Sequence, residues 1–129
     1  MVDDQATTFD SILQELIAQG SIRAAVLVSA DGLPLAAATP MNAARPKVFD
    51  PDELAAMVSL VRDVVETTQR RLAMSAVDEV SVVAEDRVRL VCRYFTVGSE
   101  AMILAVVAPP QQTYRRLTNQ AIRAIRDAW

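Results

Sequence analysis

The chain has 129 residues, 52% of them hydrophobic, with a formal net charge of -3 and a pI of about 4.9. That length suits one domain over residues 1–129, and the acidic balance argues against nucleic acid as the main partner, since phosphate binding needs a basic surface. There is no histidine, which removes Ser-His triads, imidazole bases and histidine metal sites, and the single cysteine, Cys92, removes any intrachain disulfide.

Mean hydropathy is +0.21, high for so short a chain. Either the core is large for its length or a second copy covers apolar surface, and both are expected. Lys47 is the only lysine; the other basic residues are arginines. The Met1–Asp4 start is acidic and opens no apolar run, so no secretory signal is expected. The longest apolar runs fall well short of the ~20 residues a membrane span needs. A cytoplasmic protein with no membrane insertion is the expectation.

The first element is a helix over Thr8 to Gln19. Phe9, Ile12, Leu13, Leu16 and Ile17 form one apolar stripe, Thr7 or Thr8 can cap the start, and Gly20 suits the position past the end. Two apolar runs follow, Ile22 to Ser29 and Leu33 to Ala38, separated by Asp31-Gly32. Asp-Gly between apolar runs predicts a hairpin, because tight turns need positive φ, which Gly adopts freely and Asp tolerates. Both strands are apolar on nearly every residue, as in a sheet covered on both faces. Residues 39–50 hold Pro40, Asn42 and Pro46 and read as a loop.

Asp50-Pro51-Asp52-Glu53 predicts a helix start: Asp50 caps, Pro51 fits the first turn and the two acids meet the positive end of the dipole. This second helix runs to about Met74. Leu54, Met57, Val58, Val61, Val64, Val65, Thr68 and Leu72 form its main stripe, and Ala56, Leu60, Thr67 and Met74 a flank beside it, an apolar arc wider than one sheet contact requires. Ser59, Arg62, Asp63, Glu66, Gln69 and Arg70 occupy the remaining face.

Val77 to Ala84 is the third strand. After the Glu85-Asp86 connection, Arg87, Arg89, Val91 and Arg93 alternate with Val88, Leu90, Cys92 and Tyr94, the clearest period of two in the chain. Arg87, Arg89 and Arg93 form one exposed or interfacial strand face, with an acidic partner or anion as the sharper alternative; Cys92 falls on the apolar side as a core thiol. Gly98 turns the chain into a fifth strand, Ala101 to Ala108. Pro109-Pro110 leads to a last helix over about Gln111 to Ala128, with Tyr114, Leu117, Ala121, Ile122 and Ile125 on its apolar face. Trp129 either packs against that helix or serves an assembly contact.

This order, with the Ala24 to Ala38 hairpin, the Asp-Glu-Leu-Ala-Ala-Met opening at 52–57, Glu79 to Ala84, the Val88 to Val107 strand pair and Tyr114-Arg-Arg-Leu-Thr-Asn-Gln, resembles the Roadblock/LC7 family over nearly the whole chain. The resemblance implies an α+β fold with an antiparallel sheet of order 2-1-5-4-3, helices one and three on one face and helix two on the other. It also implies a homodimer joined through helix two and strand three, and a role as regulator or scaffold of a Ras-like small GTPase or as a motor-complex light chain.

The residues support the dimer independently. Val80, Val82 and Val83 lie on a strand expected at the sheet edge with no Lys or Pro to protect it. The flank of Ala56, Leu60, Thr67 and Met74 would be covered by its symmetry mate. Ser59, Arg62, Asp63, Glu66 and Arg70 are the expected partner-binding set. An arginine finger from Arg62 or Arg70 is possible, though a solvated helix face explains them more simply. No Gly-x-x-x-x-Gly-Lys string occurs, so the chain is not itself a P-loop GTPase. No catalytic residue, cofactor or metal is expected: Asp31 reads as a turn and Asp50, Asp52 and Glu53 as a cap. The alternatives are a small-ligand sensor of profilin-like or PAS-like fold, which needs a pocket with convergent polar groups, and a structural adaptor in a larger complex.

Overall fold

A computed structural model describes residues 2–40 and 50–129, with α1 side chains from Thr8 onward. Residues 41–49, most of the expected loop, lie outside the described residues. The elements run α1 (Val2–Gln19), β1 (Ala24–Ser29), β2 (Pro34–Ala38), α2 (Pro51–Leu72), β3 (Glu79–Val83), β4 (Arg89–Val97), β5 (Glu100–Ala108) and α3 (Arg115–Ala128). All five strands join one sheet of order β2-β1-β5-β4-β3 in antiparallel register. This is the expected α+β architecture.

Two core layers flank the sheet. On one side Phe9, Leu13, Leu16 and Ile17 of α1 and Leu117, Ala121, Ile122 and Ile125 of α3 bury against Leu27, Val91, Leu104 and Val106. On the other, Leu54, Ala55 and Val58 of α2 meet Val26, Val28, Cys92, Ile103 and Ala105. β1 and β5 are central and almost wholly buried, whereas β2, an edge strand, buries only Ala36 and Ala38. The expectation of two covered faces therefore holds for β1 and fails for β2.

α1 begins at Val2, earlier than expected, so Thr7 and Thr8 lie inside the helix rather than at its cap. α3 begins later, at Arg115, because Pro109 to Gln112 form a turn closed by the Gln112 N–H on the Pro109 carbonyl at 3.1 Å. Gly20 permits a close approach: a Cβ there would lie 2.8 Å from Leu117 Cδ1, where α1 ends against α3.

The β1–β2 connection is a three-residue loop, Ala30 to Gly32. The Gly32 N–H donates to the Ser29 carbonyl at 3.0 Å and the Ser29 N–H to the Leu33 carbonyl at 2.9 Å. Gly32 alone takes a positive φ, +84°; Asp31 does not. The β3–β4 loop repeats this pattern: the Arg87 N–H donates to the Ala84 carbonyl at 2.9 Å and the Ala84 N–H to the Val88 carbonyl at 2.8 Å. The left-handed position there, φ 76°, is held by Arg87. Arg87 is thus a turn residue and β4 starts two residues later than the alternation suggested. Both loops are a turn plus a left-handed residue, which suits the twist of a hairpin.

Candidate functional site

α2 is seated by its first half. The Asp50 carboxylate accepts from the Asp52 N–H at 2.9 Å and Pro51 occupies the first turn. Two turns on, a Cβ at Gly32 would lie 2.8 Å from Ser59 Oγ, so the β1–β2 loop and α2 touch where only glycine fits. Arg62 Nη1 donates to the carbonyl of Ala30 in the same loop. Beyond Val58 no residue of the helix is fully buried: Leu54, Ala55 and Val58 are its only buried residues, and Val65, Thr67, Thr68 and Gln69 are half-buried. It ends at Ala73, whose N–H donates to the Gln69 carbonyl and whose left-handed φ of 51° brings the Met74 N–H onto the same carbonyl at 3.1 Å.

The consequence is an exposed apolar surface. Met57, Leu60, Val64 and Leu72 are 52%, 63%, 65% and 66% exposed, and Val82 on β3 is 52% exposed. Met57, Val64 and Leu72 were expected in the core-facing stripe, and that assignment is corrected. α2 reaches the sheet core through Leu54, Ala55 and Val58, all in its first turns. The apolar arc legible in the sequence is real, and its exposed part joins Met57, Val64 and Leu72 to Ala56, Leu60 and Met74.

The structure places the expected dimer residues unevenly. Leu60 and Ala56 are exposed on α2, and Thr67 is half-buried with its hydroxyl 3.5 Å from Arg70 Nη2. Met74, 50% exposed, lies past the end of the helix. Val80 and Val82 sit opposite Cys92 and Leu90, on the α2 side of the sheet, where Leu90 and Tyr94 are only partly covered. β3 is an edge strand, as expected.

Of the expected partner-binding set, Asp63, Glu66 and Arg70 are exposed and Ser59 and Arg62 half-buried. Ser59 Oγ donates to the Ala55 carbonyl at 3.0 Å. Arg62 is committed to the Ala30 carbonyl and lies 3.5 Å from the Asp63 carboxylate. Burial pushes the Tyr94 hydroxyl up to about 12, with Cys92 and Glu66 adding to the rise and Arg62 opposing it. That hydroxyl and Arg62 Nε are both buried without a hydrogen-bond partner.

The arginines of β4 do not form an exposed face. Arg89 donates to the carbonyls of Pro109 at 3.3 Å and Gln112 at 2.5 Å and lies 5.3 Å from the Tyr114 ring centroid. Arg93 donates to Thr118 Oγ1 at 2.6 Å and Asn119 Oδ1 at 2.9 Å, and its Nε lies 3.5 Å from the Glu79 carboxylate. Glu79 also accepts from Tyr114 at 2.6 Å and Arg115 at 2.7 Å. These contacts tie α3 to β4 and β3. Period-two alternation shows that Arg89 and Arg93 share a face, but nothing local shows that α3 covers it.

Cys92 is fully buried, and burial pushes its thiol up to about 11, away from reactive thiolate. Trp129 stacks on Phe9 with ring centroids 6.5 Å apart, closing the end of α3 over α1. A groove of about 400 Å³ between α1 and α3 is lined entirely from those two helices, by Ile12, Leu16, Leu117, Ala121 and Ala124 among others. It is a seam on the outside of the helical layer, unlike the chamber a small-ligand sensor of PAS-like fold would need. Among the described residues no group of three His, Cys, Asp or Glu could hold a metal ion, and no helix is long and apolar enough to cross a membrane.

A five-stranded antiparallel sheet of order 2-1-5-4-3 in an αββαβββα chain, with one long helix alone on one face, defines the Roadblock/LC7 fold. The chain has that fold across its whole described length. It is similar to the gliding protein MglB from Thermus thermophilus, with a TM-score of 0.76 at 20% identity over 96% of this chain and 90% of that one. An MglB with tetrameric arrangement matches with a TM-score of 0.76 at 20% identity over 96% and 89% of the two chains. A Roadblock/LC7 domain from Streptomyces avermitilis matches with a TM-score of 0.70 at 23% identity over 92% of each. No protein-family model matches the sequence, and no curated protein matches it either.

Proposed function

We propose that the chain is a non-enzymatic homodimer that docks a Ras-like small GTPase on its paired α2 helices and modulates that partner's nucleotide cycle. The observation that carries this reading is the apolar surface of Met57, Leu60, Val64 and Leu72 beside a half-bare β3–β4 face with exposed Val82. Each protomer offers both halves of a self-complementary contact: a helical flank that needs a cover, and a stretch of sheet that needs a helix. A twofold axis satisfies both at once. The unprotected β3 edge would pair with its mate and extend the sheet across the axis.

The small GTPase enters through the resemblance to the Roadblock/LC7 family; the solved structures support the fold on which that resemblance rests. With α2 paired, Asp63, Glu66 and Arg70 stand on the exposed polar flank of each helix and form the partner contact. Regulation would then come from holding the partner's own switch loops, since Arg62 is occupied with the β1–β2 loop. The test is a pull-down of candidate small GTPases loaded with GTP or GDP. Retention that depends on the nucleotide and is lost in Glu66→Arg supports the reading; equal retention by both proteins removes it.

A further inference from the structure

The opposite face of the sheet carries a second surface. Residues 87–129 hold seven arginines against two acids, while residues 1–86 hold six basic residues against fourteen acids. Four of those arginines are on α3. Its inward side is fixed by Leu117, Thr118, Ala121, Ile122 and Ile125, so at 100° per residue Arg115, Asn119, Arg123 and Arg126 fall along the flank facing β4. Between that flank and β4 runs a cleft of about 360 Å³, lined by Arg93, Arg123 and Arg126 against one acid, Asp127, with Asn119, Phe95 and Ile122 among the rest.

The positive walls of this cleft are only partly neutralised. Arg93 is held by Glu79, Thr118 and Asn119. Arg126 lies 5.8 Å from the Phe95 ring centroid and donates to the Thr96 carbonyl at 3.2 Å. Arg123 is exposed, with no ion pair or hydrogen bond among the described residues. Phe95 and the edge of the buried Ile122 supply the cleft's apolar part, beside open backbone. β4 outruns β3: the last paired residues are Glu79 and Arg93, and the Tyr94 N–H still reaches the Asp78 carbonyl at 2.9 Å. Thr96, two residues on, points its N–H the same way with no strand opposite it.

We propose that this cleft binds an extended acidic peptide segment of a partner protein. Guanidinium groups suit carboxylates along one side of such a segment. Phe95 and Ile122 suit alternate apolar side chains, and the Thr96 N–H a main-chain carbonyl. A flat anionic membrane fits less well, because the site is concave and the outward positions of α3 are Arg116, Asn119, Gln120, Arg123 and Asp127, none of which enters a bilayer. The cleft and α2 lie on opposite faces of the sheet, so this site stands or falls apart from the GTPase platform.

The test measures fluorescence anisotropy of a labelled peptide alternating Glu and Val, titrated with the full chain. Saturable binding that weakens with salt is expected, with none for the Gln-Val counterpart. Arg123→Glu, a change at an exposed residue with no partner to lose, should weaken binding at least about ten-fold. Arg71→Glu, the same charge change on α2, should leave it unaltered, and an unchanged circular dichroism spectrum should accompany both. Equal affinity in wild type and Arg123→Glu would overturn the proposal. So would an equal loss in Arg71→Glu, or binding of phosphatidylserine vesicles or inorganic phosphate without binding of the peptide.

Discussion

Arg62 on α2 donates to the carbonyl of Ala30 in the β1–β2 loop, which makes it a fastener of the helix rather than a free surface charge. Arg62→Ala should cost about 1.5 to 3 kcal/mol, the usual range for a hydrogen bond with one charged partner. Urea unfolding should show a lower midpoint with an unchanged slope. Asp63→Asn and Glu66→Gln, both at exposed positions, should leave the unfolding free energy within about 0.5 kcal/mol of wild type. Changing Arg62 together with Glu66 would therefore mix a stability effect with any effect on partner binding, and Glu66 alone is the cleaner probe.

Arg87 and Ala73 hold left-handed backbone without being glycine. That conformation costs an L-residue roughly 1 to 2 kcal/mol, partly offset in glycine by its larger loss of freedom on folding. Arg87→Gly and Ala73→Gly should each raise stability by several tenths of a kcal/mol or more, and together should be nearly additive because the sites share no partners. Thermal melts of the two single variants and the double variant check this.

Much of the fold could be read from spacing alone. The Asp-Gly hairpin, the Asp50-Pro51 helix start and the period of two in β4 each depend on neighbours within a few residues, and each element formed close to where it was expected. What spacing could not supply was which side of an element other elements cover. Met57, Val64 and Leu72 sit at core-like intervals, yet α2 reaches the sheet core only through Leu54, Ala55 and Val58, and those three face outward. Arg89 and Arg93 alternate like an exposed strand face, yet α3 lies across them. Glycine marks one left-handed loop position at Gly32, while Arg87 occupies the equivalent place with no sequence signal at all.

Tyr94 buries its hydroxyl without a partner beside Arg62 and Glu66. Tyr94→Phe removes that unsatisfied group and keeps the ring, so it should be neutral or stabilising by up to about 1 kcal/mol. Tyr94→Ala, which empties the site, should destabilise by about 3 kcal/mol or more. Chemical denaturation of both variants separates the hydroxyl from the ring.

Alkaline pH should weaken the fold through Cys92 and Tyr94. Burial raises the Cys92 thiol from 9.0 to about 11 and the Tyr94 hydroxyl from 10.0 to about 12. The unfolded chain gives up these protons first, so stability is complete below pH 9 and falls as pH rises toward the folded-state values. One group contributes at most about 1.4 kcal/mol per pH unit. Cys92→Ala should flatten the stability profile between pH 9 and 10 by one proton, whatever it costs in packing; an unchanged slope would show that the thiol does not titrate with folding.

The central claim is that two copies bury the outward flank of α2 and the β3 edge against each other, and sedimentation equilibrium tests it most directly. The account predicts a dimer for the wild-type chain and a folded monomer for Leu60→Glu combined with Val82→Glu, since both residues are exposed in the single chain and a charge at either is costly only when covered. A wild-type chain that stays monomeric at high concentration, or a double variant that dimerises as tightly as wild type, would contradict it.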